Sequence, residues 1–210
     1  MRIEDKMIDF ESELLEMASR VRKSMSQAIE ALNTHDKELA LHVIERDDQV
    51  NYYDESINDS AIQTLSLMQP VARDLRLLVG GIKIATDLER IGDYAKNIGR
   101  FVIKSNVDKE FLNEEITELG NIFLENFDSV IEALKALNVK QAYAAAELDD
   151  NLDEAFAKVM MKFVDIAEKE GRFPIETTGI LRNIERAGDH AKNICEQIIY
   201  IAKGQHVDFG

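Results

Sequence analysis

Apolar residues recur along the chain in steps of three and four, as in Phe10, Leu14, Met17, Val21, Met25, Ala28, Ile29 and Leu32. That spacing returns side chains to one helix face, whereas the period-two alternation of a half-buried strand is sustained nowhere. Breaks in the pattern at 33–36, 68–74, 105–110, 137–141 and 170–178 divide the chain into about six helices of roughly 25–30 residues. Helices of that length joined by short loops build antiparallel bundles.

The pattern also repeats. Residues 87–98, "DLERIGDYAKNI", and 183–194, "NIERAGDHAKNI", agree at eight of twelve positions at a constant offset of 96. Upstream, "ALNTHDKELALHVIERDDQVN" (31–51) is echoed by "ALNVKQAYAAAELDDNLD" (136–153) once three extra residues are allowed in the first copy. The expected architecture is therefore all-α: two tandem three-helix bundles related by internal duplication, residues 1–106 and 107–210, with six long antiparallel helices.

Within each repeated phrase two carboxylates stand four residues apart, Glu89 with Asp93 and Glu185 with Asp189. Like charges at that spacing repel by roughly 0.2–0.5 kcal/mol. A solvated face relieved by Arg90 and Lys96, or by Arg186 and Lys192, would accommodate them. Gly92 and Gly188 add a further cost of about 0.5–1 kcal/mol relative to Ala inside a helix; the close approach of another helix, or room beside a bound ion, would offset it.

Antiparallel geometry extends the argument. Asp47 and Asn51 on the preceding helix are again four apart, and the midpoints of 47 with 93 and of 51 with 89 both fall at Pro70, inside the first turn. Asp149 and Asp153 stand likewise to Asp189 and Glu185, with both midpoints at Lys169. Each half thus offers an oxygen-bearing set on consecutive helices: Asp47, Asn51, Glu89 and Asp93, then Asp149, Asp153, Glu185 and Asp189. Hard or borderline cations suit such ligands, with carboxylates bridging in multinuclear sites.

Forty acidic residues against 25 basic give a formal charge of −15. A field of that sign attracts cations and repels phosphate backbones and anionic membranes, which argues against nucleic acid as the main partner. The single cysteine, Cys195, leaves no disulfide framework and suits a reducing compartment; in the apolar run "NICEQIIYIA" it reads as a small buried hydrophobe. The N-terminus carries scattered acidic residues in place of a signal-peptide core, and no apolar run approaches about 18 residues, so a cytoplasmic location is expected.

Enzyme signatures are missing: no Glu-x-x-His pair of the ferritin type, no P-loop, no dinucleotide fingerprint and no nucleophile elbow occurs. His190, which has Tyr94 at the equivalent position of the first copy, and His42 both read as peripheral residues, not ligands. A metal-dependent hydrolase or oxidase on the same bundle stays an alternative, because two-metal centres activate water, but no substrate pocket is recognisable. A binding or regulatory protein is the better class.

The two copies of "ERxGDxAKNI", the "QPVARDLRLL" turn leading into the first and the "VIERDDQVN" before it resemble the PhoU family of phosphate-uptake regulators, over nearly the whole chain. The resemblance implies a regulator, not an enzyme, that links a phosphate ABC transporter ATPase to a sensor histidine kinase and restrains phosphate-starvation signalling. It further implies a homodimer and multinuclear iron or zinc clusters, with manganese or magnesium as alternatives, held by the eight residues named above. Relatives serving a different transporter are a second reading. Asn51 departs from an all-carboxylate pattern and brings no charge, so the first site is expected to bind metal more weakly than the second.

Overall fold

A computed structural model describes residues 2–104, 113–170 and 175–210. Its helices are α1 (Ile3–Thr34), α2 (Lys37–Met68), α3 (Ala72–Lys104), α4 (Asn113–Ala136), α5 (Val139–Glu147), α6 (Asp149–Glu170) and α7 (Ile175–Lys203). No strand occurs among the described residues. The expected breaks at 33–36, 68–74 and 137–141 coincide with observed helix ends. The break at 105–110, and residues 171–174 of the last one, lie outside the described residues.

The first loop of each half is built the same way. His35 and Leu137 both adopt the left-handed conformation that ends a helix, and the next amides, Asp36 N and Asn138 N, reach back to Ala31 O (3.0 Å) and Ala133 O (3.1 Å). Asp36 and Asn138 then cap the following helix: Asp36 Oδ1 accepts from Glu38 N and Leu39 N, and Asn138 Oδ1 from Lys140 N and Gln141 N. Each cap satisfies donors that the helix start leaves unpaired and contributes about 1 kcal/mol.

In the second half the middle helix runs as two segments, α5 and α6, where the first half has the unbroken α2. Leu148 N donates to Ala145 O and Asn151 N to Leu148 O, the tighter three-residue hydrogen-bond pattern that marks a local kink. The half-freed Leu148 carbonyl accepts from Asn126 Nδ2 at 2.9 Å. The equivalent caps Asp36 and Asn138 place Asn126 at the position of the buried Ser24, so an amide in place of a hydroxyl accompanies the kink. It also places Asp149 in the first turn of α6.

Packing joins the halves. α3 lies against α2, α1 and α7, and α1 also packs on α4, so the buried apolar residues form one continuous core. The duplication is visible inside it: Ile84, Leu88, Ile91, Ala95, Ile98 and Val102 of α3 are buried, as are Ile180, Ile184, Ala187, Ala191, Ile194 and Ile198 of α7 at the offset of 96. Full burial of each large aliphatic contributes roughly 1.5–3 kcal/mol.

Glycine spacing tells close approach from empty space. A Cβ on Gly81 would lie 2.4 Å from the ring of the buried Phe10, whereas one on Gly179 would meet nothing within 4 Å. Gly81→Ala is expected to destabilise the chain by about 1–3 kcal/mol through overpacking. Gly179→Ala should stabilise it by about 0.5–1 kcal/mol through helix propensity. Denaturant titration of the two variants checks the opposite signs.

Candidate functional site

On α3 and α7 the repeated phrase presents two faces, and Gly92 and Gly188 define the inner one. A Cβ at Gly92 would come within 3.1 Å of Val50 Cγ1 and 3.8 Å of Asp47 Oδ1. At Gly188 it would come within 2.4 Å of Leu152 Cδ2 and 2.6 Å of Asp149 Oδ1. Of the two expected explanations for these glycines, the close approach of α2 and α6 is the one the packing supplies.

That approach buries a carboxylate in each half. Asp47 is 3% exposed and Asp149 6%, and each meets a lysine of the repeated phrase: Lys96 Nζ donates to Asp47 Oδ2, and Lys192 Nζ stands 3.1 Å from Asp149 Oδ2. Asn51 Nδ2 also donates to Asp47 Oδ2, at 3.3 Å. Asp47 Oδ1 is buried with no hydrogen-bond partner, and the Lys192 contact with Asp149 Oδ2 is an ion pair without hydrogen-bond alignment. Desolvation raises the Asp149 pKa against the pull of Lys192, and the carboxylates around Lys192 raise its own pKa against desolvation.

The antiparallel register lies slightly beyond the turn midpoints. Asp47 pairs with Lys96, and the carboxylates acting on Glu89 from α2 are Asp54 and then Asp47. Asp54, one turn beyond Asn51, is absent from the sequence-derived set. Its pKa is raised by desolvation and by Glu55, with Arg90 opposing. Its signal is the acidic run "YYDESIND" (52–59), in which Asp54 stands three residues, not four, from Asn51. At the equivalent position of the second half stands Phe156.

The outer carboxylates are half-buried and crowded. Arg90 relieves the first pair, with its Nε 3.5 Å from Glu89 Oε2 and its Nη1 3.4 Å from Asp93 Oδ2. Even so the Glu89 pKa is raised, by desolvation first and then by Asp93. In the second half Glu185 is raised by desolvation, Asp189 and Asp153, and Asp189 by desolvation and Asp153. Asp153 therefore faces both members of the α7 pair. Among the described residues no three carboxylate, His or Cys side chains converge closely enough to hold an ion as they stand.

The peripheral histidines divide. His42 is exposed, 3.8 Å from Glu45. His190 is instead lodged between the halves: its Nδ1 lies 2.8 Å from Asp87 Oδ1, and Tyr94 Oη stands 3.4 Å from its Nε2. Tyr94 and His190 are equivalent positions, so their contact marks the pseudo-twofold axis between α3 and α7. Cys195 is buried, with its thiol pKa pushed up to about 12 by desolvation, which suppresses the reactive thiolate.

The fold and site define a class first: a duplicated helical bundle whose two halves each carry a carboxylate face with a buried Asp–Lys pair. The PhoU domain matches residues 14–102 and 116–198, and the chain belongs to the PhoU family. It is 31% identical over 205 residues to the phosphate-specific transport system accessory protein PhoU homolog of Clostridium acetobutylicum, covering 95% of this chain and 94% of that one. To the Escherichia coli K12 PhoU accessory protein it is 30% identical, covering 92% and 82%. The crystal structure of PhoU from Pseudomonas aeruginosa superposes with a TM-score of 0.92 at 30% identity, covering 97% of this chain and all of that one. That from Streptococcus pneumoniae shares the fold with a TM-score of 0.92 at 24% identity.

The raised carboxylates carry a definite pH sign. Their folded pKa values lie above those of the unfolded chain, so their contribution to stability is complete below the unfolded carboxylate range and is lost as pH rises through the folded values. Glu89→Gln with Glu185→Gln removes two like-charge contacts of roughly 0.2–0.5 kcal/mol each, a gain in Tm of about 1–4 °C at neutral pH for a chain of this size. Near pH 4, about where carboxylates protonate, the gain should vanish. Calorimetric melts at the two pH values check it; a gain that does not change with pH contradicts the account.

Proposed function

We propose that this chain is a cytoplasmic negative regulator of phosphate uptake and of phosphate-starvation signalling. In this reading it is an adaptor between a phosphate transporter ATPase and a sensor histidine kinase, and it acts as a homodimer. The observation that carries the reading is the PhoU match in both halves, together with relatives named as phosphate-specific transport accessory proteins that align along 92–95% of the chain. No described helix is long and apolar enough to cross a membrane, in keeping with contact through partner proteins. An adaptor needs faces and not a substrate pocket, and the duplicated carboxylate faces supply two.

In the same reading the faces take iron or zinc, with manganese or magnesium as alternatives. Glu89, Asp93, Asp47 and Asn51 would hold the ions in the first half, and Glu185, Asp189, Asp149 and Asp153 in the second. The hard oxygen donors, the mutual repulsion that raises their pKa values and the partnerless Asp47 Oδ1 all suit a cation. Lys96 and Lys192 already neutralise the two inner carboxylates, so the outer ones are the first to gain from an ion. Bound metal would act through charge, joining the helices of each half and presenting a cationic patch to partners.

Deleting the gene should raise phosphate-starvation transcription or phosphate uptake in phosphate-replete medium, and the wild-type gene should restore repression. Unchanged transcription and uptake in the deletion strain would overturn the regulatory reading. The metal reading has its own readout. Elemental analysis of chain purified without chelator and offered Fe, Zn, Mn and Mg should find stoichiometric metal, with the share of the second half lost on Glu185→Gln plus Asp189→Asn while circular dichroism stays helical. A wild-type chain that remains empty would sink it.

A further inference from the structure

Where α1 meets α2, Arg20, Lys23, Ser24, Arg46, Gln49 and Val50 line a cleft of about 190 Å³. Three of the six are cations and none is a carboxylate, in a chain whose formal charge is −15. The guanidiniums are held in place: Arg46 Nη1 donates to Gln27 Oε1 at 2.8 Å, and Arg20 Nη1 to Gln49 Oε1 at 2.8 Å. Glu16 Oε1 lies 2.8 Å from Arg20 Nη2, while Arg20 Nε is buried with no partner. Among the described residues neither Lys23 nor Arg46 has a carboxylate within ion-pair distance. The two held guanidiniums and the exposed Lys23 ammonium repel one another in one cleft, and a compact anion there would offset that repulsion while engaging their remaining N–H donors.

The duplication shows that the bundle does not require these charges. With the equivalent caps Asp36 and Asn138 superposed, Ile122, Glu125 and Asn126 fall at the positions of Arg20, Lys23 and Ser24. Across the same loop Arg46 corresponds to Leu148. The three cations belong to the first half alone. Arg20 and Gln49 also border an adjoining open groove with Asp48, Tyr52 and Tyr53. There Arg20 lies 5.2 Å over the Tyr53 ring and Tyr52 is 67% exposed, an aromatic shelf beside the cationic cleft.

We propose that this cleft binds a phosphate-class oxyanion, either inorganic phosphate or the phosphate of a nucleoside monophosphate whose base lies along the tyrosine shelf. Guanidinium forks, an ammonium and a serine hydroxyl converging on one small volume match the geometry and charge of a tetrahedral dianion. The site depends on neither the carboxylate faces nor the adaptor role. The full chain, with chelator present to exclude metal-held phosphate, is titrated calorimetrically with inorganic phosphate and with AMP at constant ionic strength. Saturable one-site binding of at least one of them is expected, weakened about tenfold or more by Lys23→Gln plus Arg46→Gln, a loss of about 1.4 kcal/mol or more. Tighter binding of AMP that Tyr52→Ala removes identifies the nucleotide as ligand; equal binding identifies the free anion. Absence of saturable binding by either ligand, or affinity unchanged in the double variant, overturns the proposal. Should circular dichroism show that Arg46→Gln disturbs the fold, Lys23→Gln and Lys23→Glu, at an exposed position, carry the same comparison.

Discussion

One close helix contact in each half is the one on which the candidate site depends: α2 seated on Gly92 of α3, and α6 seated on Gly188 of α7. A side chain at either glycine would push the neighbouring helix outward, and the aspartate opposite would rise toward water. With hydrogen there, Asp47 and Asp149 sink into the seam, where a bare carboxylate would be costly. Lys96 and Lys192, four residues beyond the glycines, meet them. Glycine, aspartate and lysine thus form one unit in each half. Because a buried charge that loses its partner is strongly destabilising, the pairing opposes any slip of α2 along α3 or of α6 along α7.

The outer carboxylates are positioned by that unit without sharing its neutralisation. Glu89 and Asp93 lie on the same α3 turns as Gly92 and Lys96 but point past the seam, as do Glu185 and Asp189 of α7. They gather negative potential from α2 and α6 while keeping access to solvent. The halves differ in how far this is relieved. Arg90 bridges Glu89 and Asp93 directly, whereas Arg186 and Arg182 act on Glu185 only through space. The two faces nevertheless carry equal numbers of carboxylates, because Asp54 of the first offsets Asn51 standing where Asp153 does.

Much of this was legible in the sequence because it depends on spacing. The step of three and four gave the helices, the offset of 96 gave the duplication, and the left-handed loop ends stand at His35 and Leu137, within the breaks read from composition. What escaped depends on contacts between distant residues. The kink at Leu148 requires knowing that Asn126 lies beneath it, since an asparagine inside an apolar stripe does not say which carbonyl it will find. His190 read as peripheral because the packing of α3 on α7 could not be seen from either copy alone. The register of α2 on α3 was offset slightly because a midpoint argument treats the turn at Pro70 as symmetric, whereas Gln69 and Ala72 take left-handed conformations there. That offset brings Asp54 toward Glu89.

Duplication also sharpens which differences bear on function. Where the two halves agree, in the caps, the buried aliphatic positions and the Gly–Asp–Lys unit, the agreement follows from building the same bundle twice. Where they differ, the bundle tolerates both choices, so the difference is free to serve something else. Asp54 against Phe156 changes the charge of one face and leaves the helix in place. Lys23 against Glu125 reverses a charge outright, and Arg20 stands against the apolar Ile122. Asp128 is taken up by Arg22 of α1 in a two-bonded pair at 2.8–2.9 Å, which ties the halves together. That pair is engaged in holding α4 to α1, while the cationic cleft of the first half, with nothing of its own chain to neutralise it fully, faces outward.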